Sequence, residues 1–325
     1  MLNNGYFCVS LDMELYWGVH DTGSFEYFEN IKSAREKAIP GMLELFNKYG
    51  VHTTWAIVGA AFARKLNELD KYIPSKDLLP TYENEIRSPY HLFEENVIDE
   101  DGERPSAFLA GNELEKIMSV PHQEIGTHTF SHYYCNEPGQ SVEQFKADLK
   151  AAIAIAKDNQ IELKSIVYPK NEIDVSYLEA SSKLGIEAYR GIESNWIYNS
   201  NLPLIIKKIL RFADAYFPIS GANCHEPVIN GGLINVCASR ILKPYNQKLS
   251  FLESFKLKRI KGQMKYAAKH NKFFHIWWHP HNFGAFTEQN LKTLEEILKY
   301  FEKLQEDYGM QSANIGELAT IFKEN

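Results

Sequence analysis

Long apolar runs are absent from this chain of 325 residues, and nothing in it nears the about 20 consecutive apolar residues of a membrane-spanning helix. No secretory leader is expected either. Met1-Leu2-Asn3-Asn4-Gly5 supplies no basic start, apolar centre or small-residue cleavage site, so the expectation is a cytoplasmic protein. Cysteine is scarce: Cys8, Cys135, Cys224 and Cys237 lack the paired spacing of a zinc ribbon or a redox motif. Reduced, mostly buried thiols are the expectation, Cys135 included, although it lies close enough to His132 to be weighed as a soft ligand. No basic block is long enough to neutralise a phosphate backbone, and a formal charge of −7 adds to the case against nucleic acid. The most basic stretch, Lys256 to Lys265, has Leu257, Ile260 and Met264 at helical spacing and reads as a solvated helix face. No internal repeat is visible.

What is present is an alternation of strand-like and helix-like segments. Tyr6 to Leu11 is apolar and rich in strand formers. After a polar loop around His20 to Glu29, Ala34 to Tyr49 has the spacing of an amphipathic helix, with Pro40 in its first turn and Gly50 as its stop. Val51 to Gly59 is a second strand, which makes a parallel crossover unit. The pattern continues through a helix at Glu113 to Met118, strand Glu124 to Thr127, helix Val142 to Asn159, strand Ser165 to Tyr168, helix Val175 to Leu184 and strand Ala188 to Arg190. Helix Ser254 to His270, strand Phe273 to Trp278 and helix Thr287 to Tyr308 follow. Two stretches interrupt it. Residues 66–110, with Pro74, Pro80, Pro89, Pro105 and an acidic run from Glu94 to Glu103, are too long for an ordinary connection and read as a lid-like excursion over the active-site end. Leu202 to Pro244 reads as loops with short helices.

Such repeated units indicate an α/β barrel or a doubly wound sheet, and both folds carry their sites at the carboxyl ends of parallel strands. Asp12 and Glu14 follow the first strand, His128 the third, Asn171 the fourth, Arg190 the fifth and His279 the late strand. In E-I-G-T-H-T-F-S-H, Glu124 to His132, two imidazoles stand four residues apart. On a helix they share a face and reach one ion. Neutral imidazole is a common ligand for a divalent metal, and a carboxylate is the expected third donor. Asp12 and Glu14, at positions i and i+2 of a strand, face the same way and supply it with one acid group to spare. An ion held by Glu14, His128 and His132 polarises a carbonyl and lowers the pKa of bound water. Asp12 is then the general base and His279, on a distant strand, the acid for a leaving amine. The reaction class is hydrolysis of an amide or ester.

Taken together, S-L-D-M-E at Ser10 to Glu14, H-T-F-S-H at His128 to His132 and H-I-W-W-H at His275 to His279 resemble the motifs of the polysaccharide deacetylase family, carbohydrate esterase family 4, also called the NodB homology domain. T-T-W-A-I-V-G at Thr53 to Gly59 is similar to the family's second strand. The resemblance implies an α/β fold, a distorted, incomplete (β/α)7 barrel with a long insertion after the second strand. One catalytic domain would span 1–325, with 66–110 inserted in it. It also implies metal-dependent removal of an acetyl group from an N-acylated amino sugar, with Asp12 as base, Glu14, His128 and His132 around one divalent ion, and His279 as acid. Zinc is the first choice of ion; cobalt, manganese, nickel and iron suit the same donors. Lys170, Asn171, Arg190, Trp278 and His281 form the candidate substrate surface. The expected substrate is a nucleotide- or lipid-linked intermediate of a surface polysaccharide. Two departures stand out. Met13 occupies the place of a second aspartate, and Val167 the place of the arginine that orients the family's base. Lys170, Asn171 and Arg190 are the candidates to replace that arginine. The alternatives are a deformylase, another amide hydrolase of the superfamily, or a sugar-binding protein with a decayed site.

Overall fold

β-Branched and aromatic residues in period-two alternation build the centre of the molecule. The computed structural model describes residues 2–21, 26–94 and 105–324. Its strands are β1 (Tyr6–Met13), β2 (Thr53–Ile57), β3 (Gln123–Thr127), β4 (Ser165–Val167), β5 (Ala188–Arg190), β6 (Val228–Asn230), β7 (Leu233–Asn235), β8 (Arg240–Ile241), β9 (Phe273–Trp278) and β10 (Gln311–Ser312). They form one sheet in the order β6-β7-β5-β4-β3-β2-β1-β9-β8, with β10 beside β1. Every pairing is parallel except β6 with β7. The sheet curls, because β7 pairs with β5 while β8, a few residues on in the same run, pairs with β9. Val236 N donates to Tyr189 O at 2.9 Å and Ser239 N to His275 O at 2.8 Å, so this run bridges the two sides. This is the mostly parallel, helix-wrapped barrel of the expected deacetylase type.

Alternation along β1 divides the interior into layers. Phe7, Val9, Leu11 and Met13 face outward into the helices and belong to the main hydrophobic core. Cys8 points into the curl, among Ala56, Val167, Ala188 and Ile234. Ile315 and Leu318 of the last helix, Ile315–Glu324, close this apolar floor. Ile315 N donates to Thr54 Oγ1 at 2.9 Å, which fixes the helix beneath β2. Above the floor the same face of β1 turns polar, and the site begins there.

Several helices depart from the sequence reading. The first runs from Glu26, inside the expected polar loop, and Pro40 lies in its middle, after a π-helical turn at Ala34–Ala38. A proline ring clashes with the carbonyl four residues earlier, and a widened turn relieves that clash. In Glu253–Lys269 the basic stretch is only partly a solvated face: Lys256 and Arg259 are buried, paired with Glu253 at 2.7 Å and Asp214 at 3.2 Å. The stretch Leu202 to Pro244 contains one substantial helix, Leu204–Asp214, beside the short strands.

Within 66–110 the described residues form brief turns rather than long elements. The acidic run lies outside the described residues, save for Glu94 at the end of a helical turn. Tyr82 accepts a hydrogen bond from Tyr134 N at 2.9 Å, and Phe108 O accepts one from Trp17 Nε1 at 2.8 Å. Tyr82 and Phe108 thus tie the described residues of 66–110 to the loops that follow β3 and β1, at the carboxyl ends of the strands.

Candidate active site

Ser10, Asp12 and Glu14 succeed one another up the inner face at the end of β1. Arg190, the last residue of β5, meets Asp12 with two parallel bonds, Nη1 to Oδ1 at 2.6 Å and Nη2 to Oδ2 at 2.7 Å. Both groups are buried. Burial pushes the Asp12 carboxyl up, but the guanidinium outweighs it and holds the group below its usual range. Asn171 Oδ1 accepts from Arg190 Nη2 at 2.9 Å and Ser10 Oγ from Nη1 at 3.1 Å. Ser10 in turn lies 2.8 Å from His275 Nε2, and His275 Nδ1 lies 2.9 Å from Val236 O. Burial drives the His275 pKa down to about 3, so this imidazole is neutral: it donates to Val236 and accepts from Ser10. The Trp277 ring covers the guanidinium at 4.0 Å. Every donor direction of Arg190 named here serves Asp12 or its supports.

The loop after β3 brings His128 and His132 together without a helix. Two residues with left-handed backbone, Thr129 at φ 64° and His132 at φ 60°, fold it back on itself. Such conformations are costly for non-glycine residues and persist where the surroundings fix them. Asp148, buried on helix Val142–Asp158, does so by accepting from Phe130 N at 2.7 Å, from Ser131 N at 3.1 Å and from the Ser131 hydroxyl. His128 Nδ1 lies 2.7 Å from Val167 O, which leaves Nε2 as the nitrogen turned toward the site. That buried Nε2 has no hydrogen-bond partner. Glu14 Oε2 is 3.0 Å from His132 Nε2 and 3.5 Å from His128 Nε2.

One donor atom from each of Glu14, His128 and His132 lies within 4.8 Å of the others. Burial pushes Glu14 up, yet His279, His128 and His132 outweigh this and keep it ionised, well below the usual carboxylate range. Burial pushes His132 down to about 4, so it is neutral, as a ligand must be. An inward-facing Nε2 beside the neutral His132 and a carboxylate suits a divalent ion. Cys135 is buried outside this group, with its thiol pushed up by burial. Gly18 is part of the construction: a Cβ there would overlap the Glu14 carboxyl group.

His279 follows β9 with Nε2 3.4 Å from Glu14 Oε1 and 3.9 Å from Asp12 Oδ2. It is the partly exposed member of the group. The expected substrate surface is rearranged. Arg190 is wholly buried and bonded to Asp12, so it orients a carboxylate rather than meeting solvent, and Asn171 supports it. Trp278 points into the core against Phe283 and Phe46, because alternation along β9 turns Trp277 toward the site instead. His281 is buried beside His279, ring centroids 5.3 Å apart, and burial lowers it to about 4. Lys170 lies over the Tyr134 ring at 3.8 Å and 3.1 Å from Glu137, at the rim. Sequence reasoning missed Ser10, Gly18, Asp148 and the role of His275. Two of these had a signal: Ser10 precedes Asp12 by two positions, and His275 precedes His279 by four, so each shares a strand face with a residue already singled out.

A sequence-family model described as polysaccharide deacetylase matches residues 25–189. Among curated protein sequences nothing matches. The fold is similar to that of a candidate polysaccharide deacetylase from Mycobacterium smegmatis, at 10% identity over 99% of this chain and 92% of that one, with a TM-score of 0.60. It is also similar to a GH57-type branching enzyme from Pyrococcus horikoshii, at 12% identity over 98% of this chain and 70% of that one, TM-score 0.56. A 4-alpha-glucanotransferase from Thermococcus litoralis gives 12% identity over 98% of this chain and 40% of that one, TM-score 0.55. At these identities the likenesses concern the fold.

Proposed function

The chain belongs to the polysaccharide deacetylase family, and from that premise we propose that it is a metal-dependent hydrolase removing the acetyl group from an N-acylated amino sugar. One observation carries the reading. A carboxylate kept ionised by a buried, bidentate arginine stands beside two imidazoles and a second carboxylate whose donor atoms converge. Glu14, His128 and His132 would hold one divalent ion, zinc for preference. When bound, the ion polarises the amide carbonyl and makes water a stronger acid.

The remaining steps fall to the chain itself. Asp12, held ionised by Arg190, accepts the proton that water loses as it attacks the carbonyl. Arg190, clamped by Asn171, Ser10 and Trp277, fixes the direction in which Asp12 presents its oxygen. His279, at the open side of the group, gives a proton to the departing amine, without which the C–N bond does not break. The whole of 1–325 acts as one catalytic domain, and within 66–110 the described residues 66–94 and 105–110 shield the mouth as a lid.

The substrate class is a nucleotide- or lipid-linked amino-sugar intermediate of a surface polysaccharide. The sugar-binding alternative drew its support from the missing arginine on the fourth strand. Arg190, arriving from the fifth, removes that support. The test is acetate release from nucleotide-linked and lipid-linked N-acetyl amino sugars by the zinc-loaded chain and by Asp12→Asn. Release by the first and not by the second supports the reading; equal rates contradict it.

A further inference from the structure

Helix Leu204–Asp214 lies apart from the site machinery and has an unusual surface. Only Asp214, its last residue, is buried. Ile205, Ile209 and Phe212 recur at i, i+4 and i+7, which makes one stripe along a helix. That stripe faces away from the protein: Ile205 is 68% exposed, Ile209 62% and Phe212 43%. Lys208 and Arg211, both exposed, run along one flank of it. The apolar surface continues past the helix, where the exposed rings of Phe217 and Phe255 pack with centroids 5.6 Å apart. An exposed apolar patch of this kind marks an interaction surface.

Its place in the fold is specific. Lys243, two residues beyond the carboxyl end of β8, lies over the Phe212 ring at 4.7 Å. Phe255 sits in the first turn of Glu253–Lys269, the end of that helix remote from the start of β9. Both contacts put the patch at the end of the barrel where the strands finish and the site opens.

We infer that this face docks on an anionic lipid surface. Charge decides the occupant. Residues 201–260 carry nine Lys and Arg against three Asp and Glu; with the buried Arg240, Lys256, Arg259 and Asp214 set aside, six cations remain against two carboxylates, in a chain whose formal net charge is −7. The rest of the molecule is therefore repelled by an anionic bilayer, while this segment is drawn to it. An apolar stripe with a cationic flank on a helix too short to cross is the pattern of an element lying in the headgroup region. At about 1.5 Å per residue the helix reaches roughly half the hydrocarbon thickness, and no described helix is long and apolar enough to span. Docking would hold the mouth of the barrel at the membrane surface and so select lipid-linked over freely diffusing amino sugars. That selection rests on the function proposed above; the docking does not.

The test is sedimentation of the full chain with vesicles of phosphatidylcholine, alone or with phosphatidylglycerol, beside Ile205→Glu/Ile209→Glu and Lys208→Glu/Arg211→Glu. The wild type is expected to pellet with the anionic vesicles at least about tenfold better than with neutral ones, and both variants to lose that binding. Ile205, Ile209 and Lys208 are exposed, and Arg211 is exposed with its guanidinium over the Tyr198 ring at 4.4 Å. The isoleucine variant should therefore keep the wild-type melting temperature, the cation variant should lose at most a few degrees, and both should cleave a water-soluble substrate normally. Two results overturn the inference: no pelleting with anionic vesicles, or pelleting that both variants retain. A wild-type dimer that Ile205→Glu/Ile209→Glu splits, with no vesicle binding, also overturns it and assigns the face to a second copy.

Discussion

Arg190 and Asp12 lie 178 residues apart in sequence and meet edge to edge, both buried, with bonds of 2.6 and 2.7 Å. Neither residue has its character without the other. Burial alone would raise the pKa of the Asp12 carboxyl, and the guanidinium alone would be an unpaired buried cation.

Arg190→Gln should therefore move the acid limb of the pH–rate profile upward. In the wild type the Asp12 carboxyl titrates below its ordinary range; without the cation, burial sets the direction and the pKa rises. Activity should fall more at pH 6 than at pH 8. The fold should weaken as well, by about 3–5 kcal/mol, the usual cost of halving a buried pair. In the wild type this contribution is complete above the ordinary Asp range and is lost as pH falls through the depressed folded value. A profile that scales down equally at every pH would contradict the assignment.

Gly18→Ala should separate metal affinity from folding. The nearest atoms to the added methyl are those of the Glu14 carboxyl group, the movable end of a side chain. The melting temperature of the metal-free protein should stay near that of the wild type. Zinc affinity, read by competition with a chromophoric chelator, should drop by roughly 10- to 100-fold.

The neighbours Trp277 and Trp278 should behave oppositely. Trp278→Ala empties a core position between Phe46 and Phe283 and should cost about 3–5 kcal/mol in denaturant melts. Trp277→Ala removes the ring over Arg190 and beside His279, centroids 5.5 Å apart, so its main effect should be on kcat. A larger loss of kcat in Trp278→Ala would reverse the two roles.

The strands that carry the site were legible because they are apolar, alternate with helical patterns and are followed by polar residues. Ala188–Arg190 and Phe273–Trp278 came out with their true bounds. What stayed hidden depends on the third dimension. That Arg190 faces Asp12 follows from the curl of the sheet, which no local pattern encodes. The parity of β9 decides between Trp277 and Trp278, and parity reads from the strand only once His279 is anchored. His128 and His132 were paired by their spacing of four, although a loop with two left-handed residues, not a helix, brings them together. Strands β6, β7 and β8 are as short as Ala188–Arg190 or shorter, but no amphipathic helix leads directly into them as Val175–Lys183 leads into that strand.

The central claim is that Glu14, His128 and His132 hold the ion on which acyl removal depends. Acetate release by chelator-stripped protein, titrated with zinc, tests it directly. The account predicts no release without metal, a rise that saturates near one ion per chain, and no rise in His128→Ala/His132→Ala. Release that persists in chelator, or that zinc restores equally in the double variant, would contradict it.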